Sequence, residues 1–315
     1  MIDAGSCYGY QISSAVPLYF TRNRPADDLH ASPVQILTVV AEDDDSLSAQ
    51  PDDELVIEWT ATPDRPVAAQ VYRCPSRTEY RVHIDGGGWF AIDTAQPKIT
   101  IPSGAEHTRR EERLWGLPAL LCFAARGDLP LHAATIDVDG RAIVLAGPSR
   151  AGKTTLAAAA AEAGWRVLSE DNTCIRLAGD VSVLPGPALL RLRRDVAAQF
   201  DEPPSGTSDL ADDRVHVTLH RDSIGDGTPV PLAAIVLLHA HESSDVVLTK
   251  AVSPQALRDL WSLSFRLPET AARTRCFDAL AELVRRVPVW DVRRPLTMDS
   301  LPALLGMLKK LAAGD

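Results

Sequence analysis

The chain has 315 residues, of which 45% are hydrophobic, and its formal net charge at pH 7 is −10. This length and apolar content suffice for a full hydrophobic core and about two domains. Residues 1–125 hold 18 acidic against 10 basic side chains, a balance of −8. Because nucleic acids and anionic membranes are themselves polyanions, this acidic charge argues against both as partners.

The sequence carries no targeting or cross-linking signal. It has no uncharged apolar stretch of about 18 residues, and its first ten residues, MIDAGSCYGY, lack the basic start and apolar core of a signal peptide. We therefore expect a cytoplasmic protein. The scattered cysteines include no CxxC pair, which predicts free thiols rather than disulfides or a zinc site: Cys7, Cys74, Cys122, Cys174 and Cys276.

Residues 1–125 are predicted to form a small, β-rich N-terminal domain. Short segments with strand-like patterns alternate with turn signals, at residues 34–40, 54–60, 79–84, 89–93 and 98–101. A largely apolar segment at 114–125 predicts a buried helix that leads into a second domain, residues 126–315. The acidic runs at 42–45 and 52–54 leave two interpretations open, solvated loops or a docking face for a basic peptide.

The second domain is predicted to begin with a β-hairpin. Strands over residues 133–138 and 141–146 are joined by Asp139 and Gly140, a strong signal for a type I′ turn. A two-residue turn sets Val138 opposite Arg141 and, counting outward, His132 opposite Gly147. The hairpin should therefore bring His132 to the loop that follows it.

That loop, GPSRAGKT at residues 147–154, matches the phosphate-binding pattern GxxxxGK[ST]. It follows an apolar strand and precedes an alanine-rich helical segment at 156–163, which ends at Gly164. This order aims backbone N–H groups and the positive helix end at a phosphate. We expect ATP to be held by Gly147, Pro148, Ser149, Arg150, Ala151, Gly152, Lys153, Thr154 and Thr155, with Lys153 at the β- and γ-phosphates and Thr154 on Mg²⁺.

An acidic pair follows the next predicted strand, residues 165–169. We place this strand beside the strand that leads into the loop, so that Glu170 and Asp171 lie at a carboxyl end where α/β sheets bind ligands. One acid can hold Mg²⁺ while the other takes a proton from an attacking hydroxyl. Arg191 and Arg193 share one face of a later strand, where they either neutralise phosphate charge or lie on an exposed edge.

The remaining pattern favours a mixed sheet followed by helices. We expect a hairpin around Gly179 and Asp180, a loose polar stretch at 201–213, strands at 189–193, 215–219, 233–238 and 245–249, and helices at 254–265, 270–286 and 301–311.

The segment LHAATIDVDGRAIVLAGPSRAGKTTLAAAAAEAGWRVLSED, residues 131–171, resembles the catalytic core of the bacterial HPr kinase/phosphorylase family. In this resemblance His132 matches the motif histidine, and Glu170 with Asp171 matches the acidic pair. The phosphate loop is matched by Gly147, Ser149, Gly152, Lys153 and Thr154. The N-terminal part is similar to HPr-kinase-related proteins. Some of those accompany peptide-modifying gene clusters and include kinases that phosphorylate a lasso peptide precursor on its C-terminal serine.

The resemblance implies an HPr-kinase-like, phosphoenolpyruvate-carboxykinase-like α/β fold and a Mg²⁺- and ATP-dependent kinase. The implied acceptor is a serine of a peptide or protein. Asp171 is the implied base, Lys153 and His132 complete the catalytic set, and Thr154 with Glu170 would hold the metal.

The chain also departs from the family pattern. Arg150 replaces a loop glycine, Glu170 replaces the first aspartate, and residues 189–196, LLRLRRDV, lack the glycine-rich signature used for phosphorolysis. We therefore do not expect HPr as the substrate or the reverse reaction. Two alternatives stay open: a non-catalytic nucleotide-binding regulatory module, and a kinase of a small-molecule hydroxyl such as free serine. The sequence also leaves open whether the chain forms a homo-oligomer.

Overall fold

The computed structural model describes residues 1–23, 35–60, 67–104, 106–200, 208–209, 214–217, 219, 224–242, 245–267 and 269–314. The chain divides into two compact units, Met1–Asp128 with Arg266–Arg275, and Leu129–Phe265 with Cys276–Asp315. Each contains helices and a sheet with both parallel and antiparallel pairs, so the fold class is mixed α/β. Among the described residues, none of the helices combines the length and apolar character needed to cross a bilayer.

The first unit is built on an eight-stranded sheet with the order β1-β2-β3-β8-β7-β6-β5-β4. Pairs β2–β3 and β3–β8 are parallel and the other pairs are antiparallel. The strands are β1 (Ile2–Cys7), β2 (Tyr10–Ser14), β3 (Ile36–Glu42), β4 (Glu54–Thr60), β5 (Val67–Arg73), β6 (Glu79–Ile84), β7 (Gly88–Asp93) and β8 (Lys98–Pro102). The helices are α1 (Asp44–Leu47), α2 (His107–Leu114) and α3 (Leu117–Arg126).

The sequence predicted five of these eight strands, apart from residue 34, which lies outside the described residues, and missed β1, β2 and β5. The buried helix predicted at 114–125 is confirmed from Leu117 onward, but its predicted start is wrong, because the structure ends one helix at Leu114 and begins another at Leu117. Gly116 has φ −82° and ψ −124°, which is not helical. Pro118 is the second residue of α3, where its missing N–H costs nothing, whereas in a continuous helix its ring would clash with the carbonyl of Leu114.

The second unit follows with strands β9 (Leu129–Val138), β10 (Arg141–Ala146), β11 (Arg166–Ser169), β12 (Asn172–Arg176), β13 (Ser182–Leu184), β14 (Arg191–Arg193), β15 (Ser208–Asp209), β16 (Arg214–His216), β17 (Val230–Ala240), β18 (Val247–Lys250) and β19 (Val289–Arg294). Its helices are α4 (Lys153–Glu162), α5 (Arg194–Ala197), α6 (Ser253–Leu263), α7 (Thr270–Arg286, which begins in the first unit) and α8 (Leu301–Ala313), with a 3₁₀ turn at Met298–Ser300. The helix predictions for α6, α7 and α8 are confirmed within two residues. Most of the polar stretch predicted at 201–213, and residue 218 of the strand predicted at 215–219, lie outside the described residues.

The main sheet of the second unit has the order β10-β9-β12-β13-β17-β19-β18. Strand β17 also pairs with β10, so that β10, β9, β12, β13 and β17 form a closed ring of paired strands. The predicted hairpin is confirmed, with Val138 opposite Arg141 and positive φ values of 52° at Asp139 and 82° at Gly140. Parallel pairing of β10 with β17 and of β17 with β19 makes the sheet mixed, as the pattern of elements predicted.

The position predicted for β11 is wrong. We placed it beside β10, but β11 pairs antiparallel with β9, which lies between them. Strand β9 is ten residues long and changes partners along its length, pairing with β12 through Leu129–His132 and with β10 through Ala133–Val138. A short strand after a crossover helix gives no local sign of which neighbour it joins.

Helices cover both faces of this sheet. The buried residues of α4 and α8 share one apolar cluster with Leu238 of β17, and those of α6 and α7 share another with Leu237. This alternation follows from the two-residue period of a strand, which sends successive side chains to opposite faces.

Candidate functional site

The loop at 147–154 joins β10 to α4 through a tightly constrained backbone. Gly147 has φ +154°, and a Cβ there would lie 2.8 Å from the carbonyl oxygen of Leu238. Arg150, which occupies the place of a family glycine, has φ +66°, a left-handed conformation unfavourable for a side chain of this size. Pro148, Ser149 and Arg150 are exposed, so this part of the loop is accessible to a ligand.

The start of α4 is held by an arginine that the sequence did not single out. Arg294, at the end of β19, is 2% exposed, and its Nη2 donates to the carbonyl oxygens of Ala151 at 3.3 Å and Gly152 at 3.4 Å. Gly152 has φ +83°, and a Cβ there would collide with Nη2 of Arg294. Burial lowers the pKa of Arg294 from its ordinary value of 12.5. Through its contacts with the two carbonyl oxygens, the guanidinium of Arg294 adds positive charge next to the loop.

Lys153 connects the loop to β9. Its Nζ donates to the carbonyl oxygens of Gly147 at 2.8 Å and Pro148 at 3.1 Å, and lies 3.2 Å from Nε2 of His132. An ammonium group has only donors, so Nε2 of His132 accepts and the ring proton is on Nδ1. That nitrogen lies 3.3 Å from Oδ1 of Asp171. Lys153, His132 and Asp171 thus form a continuous polar chain.

Burial lowers the pKa values of the two basic members of this chain, His132 and Lys153, and so favours their neutral forms. Loss of hydration lowers the pKa of His132 from 6.5, with the charge of Lys153 adding to the effect and Asp171 opposing it. Loss of hydration also lowers the pKa of Lys153 from 10.5, against the opposing charges of Asp171 and Glu170. At neutral pH the imidazole is therefore mostly uncharged and can accept the hydrogen bond from Lys153.

Asp171 is the accessible acid of the pair. Its side chain is 49% exposed. Its backbone carbonyl oxygen accepts a hydrogen bond from the backbone N–H of Ala133 at 3.0 Å. Loss of hydration raises the pKa of Asp171, but the imidazole of His132 when it is protonated, together with the charges of Arg191, Arg214 and Lys153, outweighs that effect and lowers the pKa below 3.8. Asp171 is consequently ionised at neutral pH.

Glu170 has a different environment. Its side chain is 5% exposed; Oε2 lies 3.1 Å from Nε of Arg191 and Oε1 lies 3.7 Å from Nη1 of Arg214. Burial raises the pKa of Glu170 above 4.5 although both guanidinium groups favour the carboxylate. Each carboxylate oxygen of Glu170 thus faces a guanidinium group. The role of Glu170 as a metal ligand stays a prediction.

The other predicted site residues are distributed along the same loop and on β14. Ala151 is buried, whereas Thr154 and Thr155 are half-buried in the first turn of α4. Arg191 reaches Glu170, but Arg193 is exposed and pairs with Asp195 at 2.6 Å. The expected position of His132 opposite Gly147 lies one step beyond the observed ladder, which ends at Ala133 and Ala146; His132 pairs with Asn172 instead.

Sequence reasoning missed Arg214 and Arg294. Arg214 begins β16, whose antiparallel pairing with β14 sets Arg214 opposite Arg193. Arg294 ends β19, a strand that was not predicted. The β-branched and aromatic residues Val289, Trp290 and Val292 were the local signal for that strand. Nothing local linked it to a loop about 140 positions earlier.

A family model and a solved structure each align with part of this chain. A family model described as the SynChlorMet cassette protein ScmC matches residues 117–193, well under half of the chain but including the loop and the acidic pair. The HPr(Ser) kinase/phosphatase from Coxiella burnetii aligns with 57% of this chain and 93% of its own, at 9% sequence identity and a TM-score of 0.31. So low a TM-score supports no argument from that protein. No curated protein matches the sequence significantly.

Proposed function

We propose that this protein is an ATP-dependent kinase that transfers the γ-phosphoryl group to a hydroxyl, with a serine of a peptide or protein as the acceptor. The observation that carries the proposal is the chain from Lys153 through His132 to Asp171, which joins a phosphate-loop sequence to an ionised, accessible carboxylate. Phosphoryl transfer depends mainly on positioning and charge neutralisation, and this arrangement offers both.

The nucleotide would bind at the start of α4. Backbone N–H groups there and the positive helix end attract phosphate, and the charges of Lys153 and Arg294 reinforce that attraction. The contacts of Lys153 with two loop carbonyls place its ammonium beside the loop, from which it can exchange those carbonyls for phosphate oxygens. Gly147 also suits a phosphate-binding loop, because the carbonyl oxygen of Leu238 leaves no room for a side chain at this position.

Asp171 is the proposed base toward the acceptor hydroxyl. Its half-exposed carboxylate is ionised and lies at the far end of the polar chain from Lys153. Neutral His132 holds Asp171 through Nδ1 and Lys153 through Nε2, which keeps base and cation at a fixed separation. The base and the phosphate-binding cation are thus parts of one connected site.

An oxygen ligand for Mg²⁺ is present in the same region. Thr154 is half-buried, and its hydroxyl belongs to the ligand type that Mg²⁺ accepts. When bound, Mg²⁺ would neutralise charge on the β- and γ-phosphates. Glu170 would join Thr154 as a ligand only if it moved away from Arg191 and Arg214.

The peptide acceptor is supported by two features. The matching family is described as a cassette protein, which fits an acceptor encoded beside the enzyme. The N-terminal residues 1–125 carry the acidic excess of the chain, which would attract a basic peptide segment. A free small-molecule hydroxyl is the competing acceptor.

The ion pairs of Glu170 with Arg191 and Arg214 favour a second candidate function, a nucleotide-binding regulatory module. An acid engaged by two guanidiniums is less available to a metal. Such a module would bind ATP without turning it over.

The deciding experiment compares ATP binding with ADP release, in the presence of Mg²⁺, for the wild type, Lys153→Ala and Asp171→Asn. We expect Lys153→Ala to lose about 10³-fold in turnover, and Asp171→Asn to keep ATP affinity within a few-fold while losing about 10²-fold. Lys250→Ala, an exposed lysine on β18, is the control and should match the wild type. ADP release that Asp171→Asn leaves unaffected would contradict the kinase proposal.

A further inference from the structure

A cluster of one imidazole and two carboxylates lies in the second unit, apart from the site described above. His239 is near the end of β17, Asp291 is on β19, and Asp259 is on α6. All three are half-buried, and one ligand atom from each lies within 4.8 Å of the others. Three separate elements therefore bring metal-ligating groups to one point.

The strand register explains how the cluster forms. Leu237 pairs with Asp291, and His239 is two residues further along the same strand, so both side chains lie on the face covered by α6. Leu238 lies between Leu237 and His239 in the sequence and points to the other face of the sheet, where it packs with α4 and Gly147. The cluster is thus on the opposite face of the sheet from Lys153 and its helix.

Hydrogen bonds engage all three groups of the cluster. Nε2 of His239 lies 3.2 Å from Oδ1 of Asp291. Nε2 of Gln255, one turn earlier on α6, donates to both oxygens of Asp259 at 2.8 and 2.9 Å. Gln255 is in turn held through its Oε1 by Nη1 of Arg258 at 3.3 Å. The amide therefore orients Asp259, as outer partners of metal ligands commonly do.

The charges of the cluster do not cancel. Two carboxylates this close repel each other unless a cation or a proton lies between them. A divalent ion bound to both carboxylates and the imidazole would remove that repulsion.

We propose that His239, Asp259 and Asp291 form a binding site for a divalent transition-metal ion such as Zn²⁺ or Mn²⁺. Imidazole nitrogen combined with carboxylate oxygen suits these ions better than Mg²⁺ or Ca²⁺, which prefer oxygen alone. A metal about 2.1 Å from each ligand keeps those atoms about 3 to 4.2 Å apart. Side-chain movements of about 1 Å bring ligand atoms that lie within 4.8 Å of one another to this spacing. The bound ion would tie α6 to β17 and β19.

The test measures metal binding to the full chain after chelator treatment and desalting. Titrations with Zn²⁺, Mn²⁺ and Mg²⁺ by calorimetry, and the visible absorption of added Co²⁺, report the site. We expect one Zn²⁺ per chain, bound more tightly than Mn²⁺ and far more tightly than Mg²⁺. His239→Ala and Asp291→Asn should each weaken Zn²⁺ at least tenfold and remove the rise in melting temperature that Zn²⁺ gives the wild type.

Two controls make the outcome decisive. His241→Ala removes an exposed histidine two residues further on and should leave Zn²⁺ affinity unchanged. Lys153→Ala should also keep it, which separates this proposal from the kinase proposal. His239→Gln serves as a milder replacement if an alanine variant does not fold. Wild-type affinity in the His239 and Asp291 variants, loss in His241→Ala, or equal affinity for Mg²⁺ and Zn²⁺ would overturn the assignment.

Discussion

Nζ of Lys153 lies 3.2 Å from Nε2 of His132, although the two residues are 21 positions apart. The contact joins the first residue of α4 to β9 and requires a neutral imidazole, because only an unprotonated Nε2 can accept from an ammonium group. It therefore makes the proposed site dependent on the protonation state of His132.

The pH dependence of kcat/KM should show this requirement. Since the pKa of His132 is lowered from 6.5, the imidazole is mostly neutral at pH 6.5 and above and becomes mostly protonated only at lower pH. We expect activity to be level from about pH 8 down to about 6.5 and to fall at lower pH, with a midpoint below 6.5. His132→Gln keeps an acceptor for Lys153 but does not titrate, so its profile should lack this acid limb. An unchanged limb in His132→Gln would assign it to another group.

The same lowered pKa affects stability in a fixed direction. The unfolded chain binds the proton of His132 more readily than the folded chain, so this group's contribution to stability is present above pH 6.5 and is lost as the pH falls through the folded pKa. Between pH 7 and pH 5, the melting temperature of His132→Gln should fall by less than that of the wild type. An identical loss in both proteins would contradict the coupling.

The Glu170–Arg191 pair should be strongly coupled. Both side chains are largely buried, at 5% and 11% exposure, so removing one partner leaves the other's charge poorly compensated. We expect Glu170→Ala to lower the free energy of unfolding by about 3 kcal/mol, and Glu170→Ala with Arg191→Ala to cost less than the sum of the single changes. Urea unfolding of the four proteins gives the cycle. Strict additivity would mean that the pair adds no stability.

Gly152 is expected to tolerate no side chain, and Gly164 provides a matched control. Both have φ +83°, but a Cβ at Gly152 meets Arg294 whereas nothing lies within 4 Å of one at Gly164. Gly164→Ala should lose about 1 kcal/mol from its left-handed backbone alone. Gly152→Ala should lose more and bind nucleotide at least tenfold more weakly. Equal effects on unfolding and on nucleotide titration would show that the Arg294 contact is unimportant.

Thr154 should act through its hydroxyl. Thr154→Ser keeps that group and should retain most of the Mg²⁺-dependent turnover, whereas Thr154→Val keeps the shape and should lose it. Turnover measured across a Mg²⁺ series distinguishes weaker metal binding from a slower chemical step. If the two variants behaved alike, Thr154 would have no role as a metal ligand.

Local signals in the sequence determined the elements around the proposed site. The Asp139–Gly140 pair required positive φ at both positions, which fixed the hairpin and its register before any distant contact was known. The apolar run before Gly147 and the alanine-rich run after it likewise predicted β10 and α4, since both depend on neighbouring residues alone. The same reasoning predicted the buried helix at 114–125 but set its start three residues too early, since Pro118 marks the first turn of the helix that begins at Leu117.

Only the tertiary structure decided what meets at the loop. The insertion of β9 between β10 and β11, and the approach of Arg294 to Ala151 from 143 positions away, depend on strand pairing across the sheet. The burial that separates Glu170 from Asp171 is decided in the same way, because adjacent residues on a chain can face a pair of arginines and the solvent respectively. Such choices follow from packing between distant segments, and local propensity and periodicity carry no information about which segments will pack together.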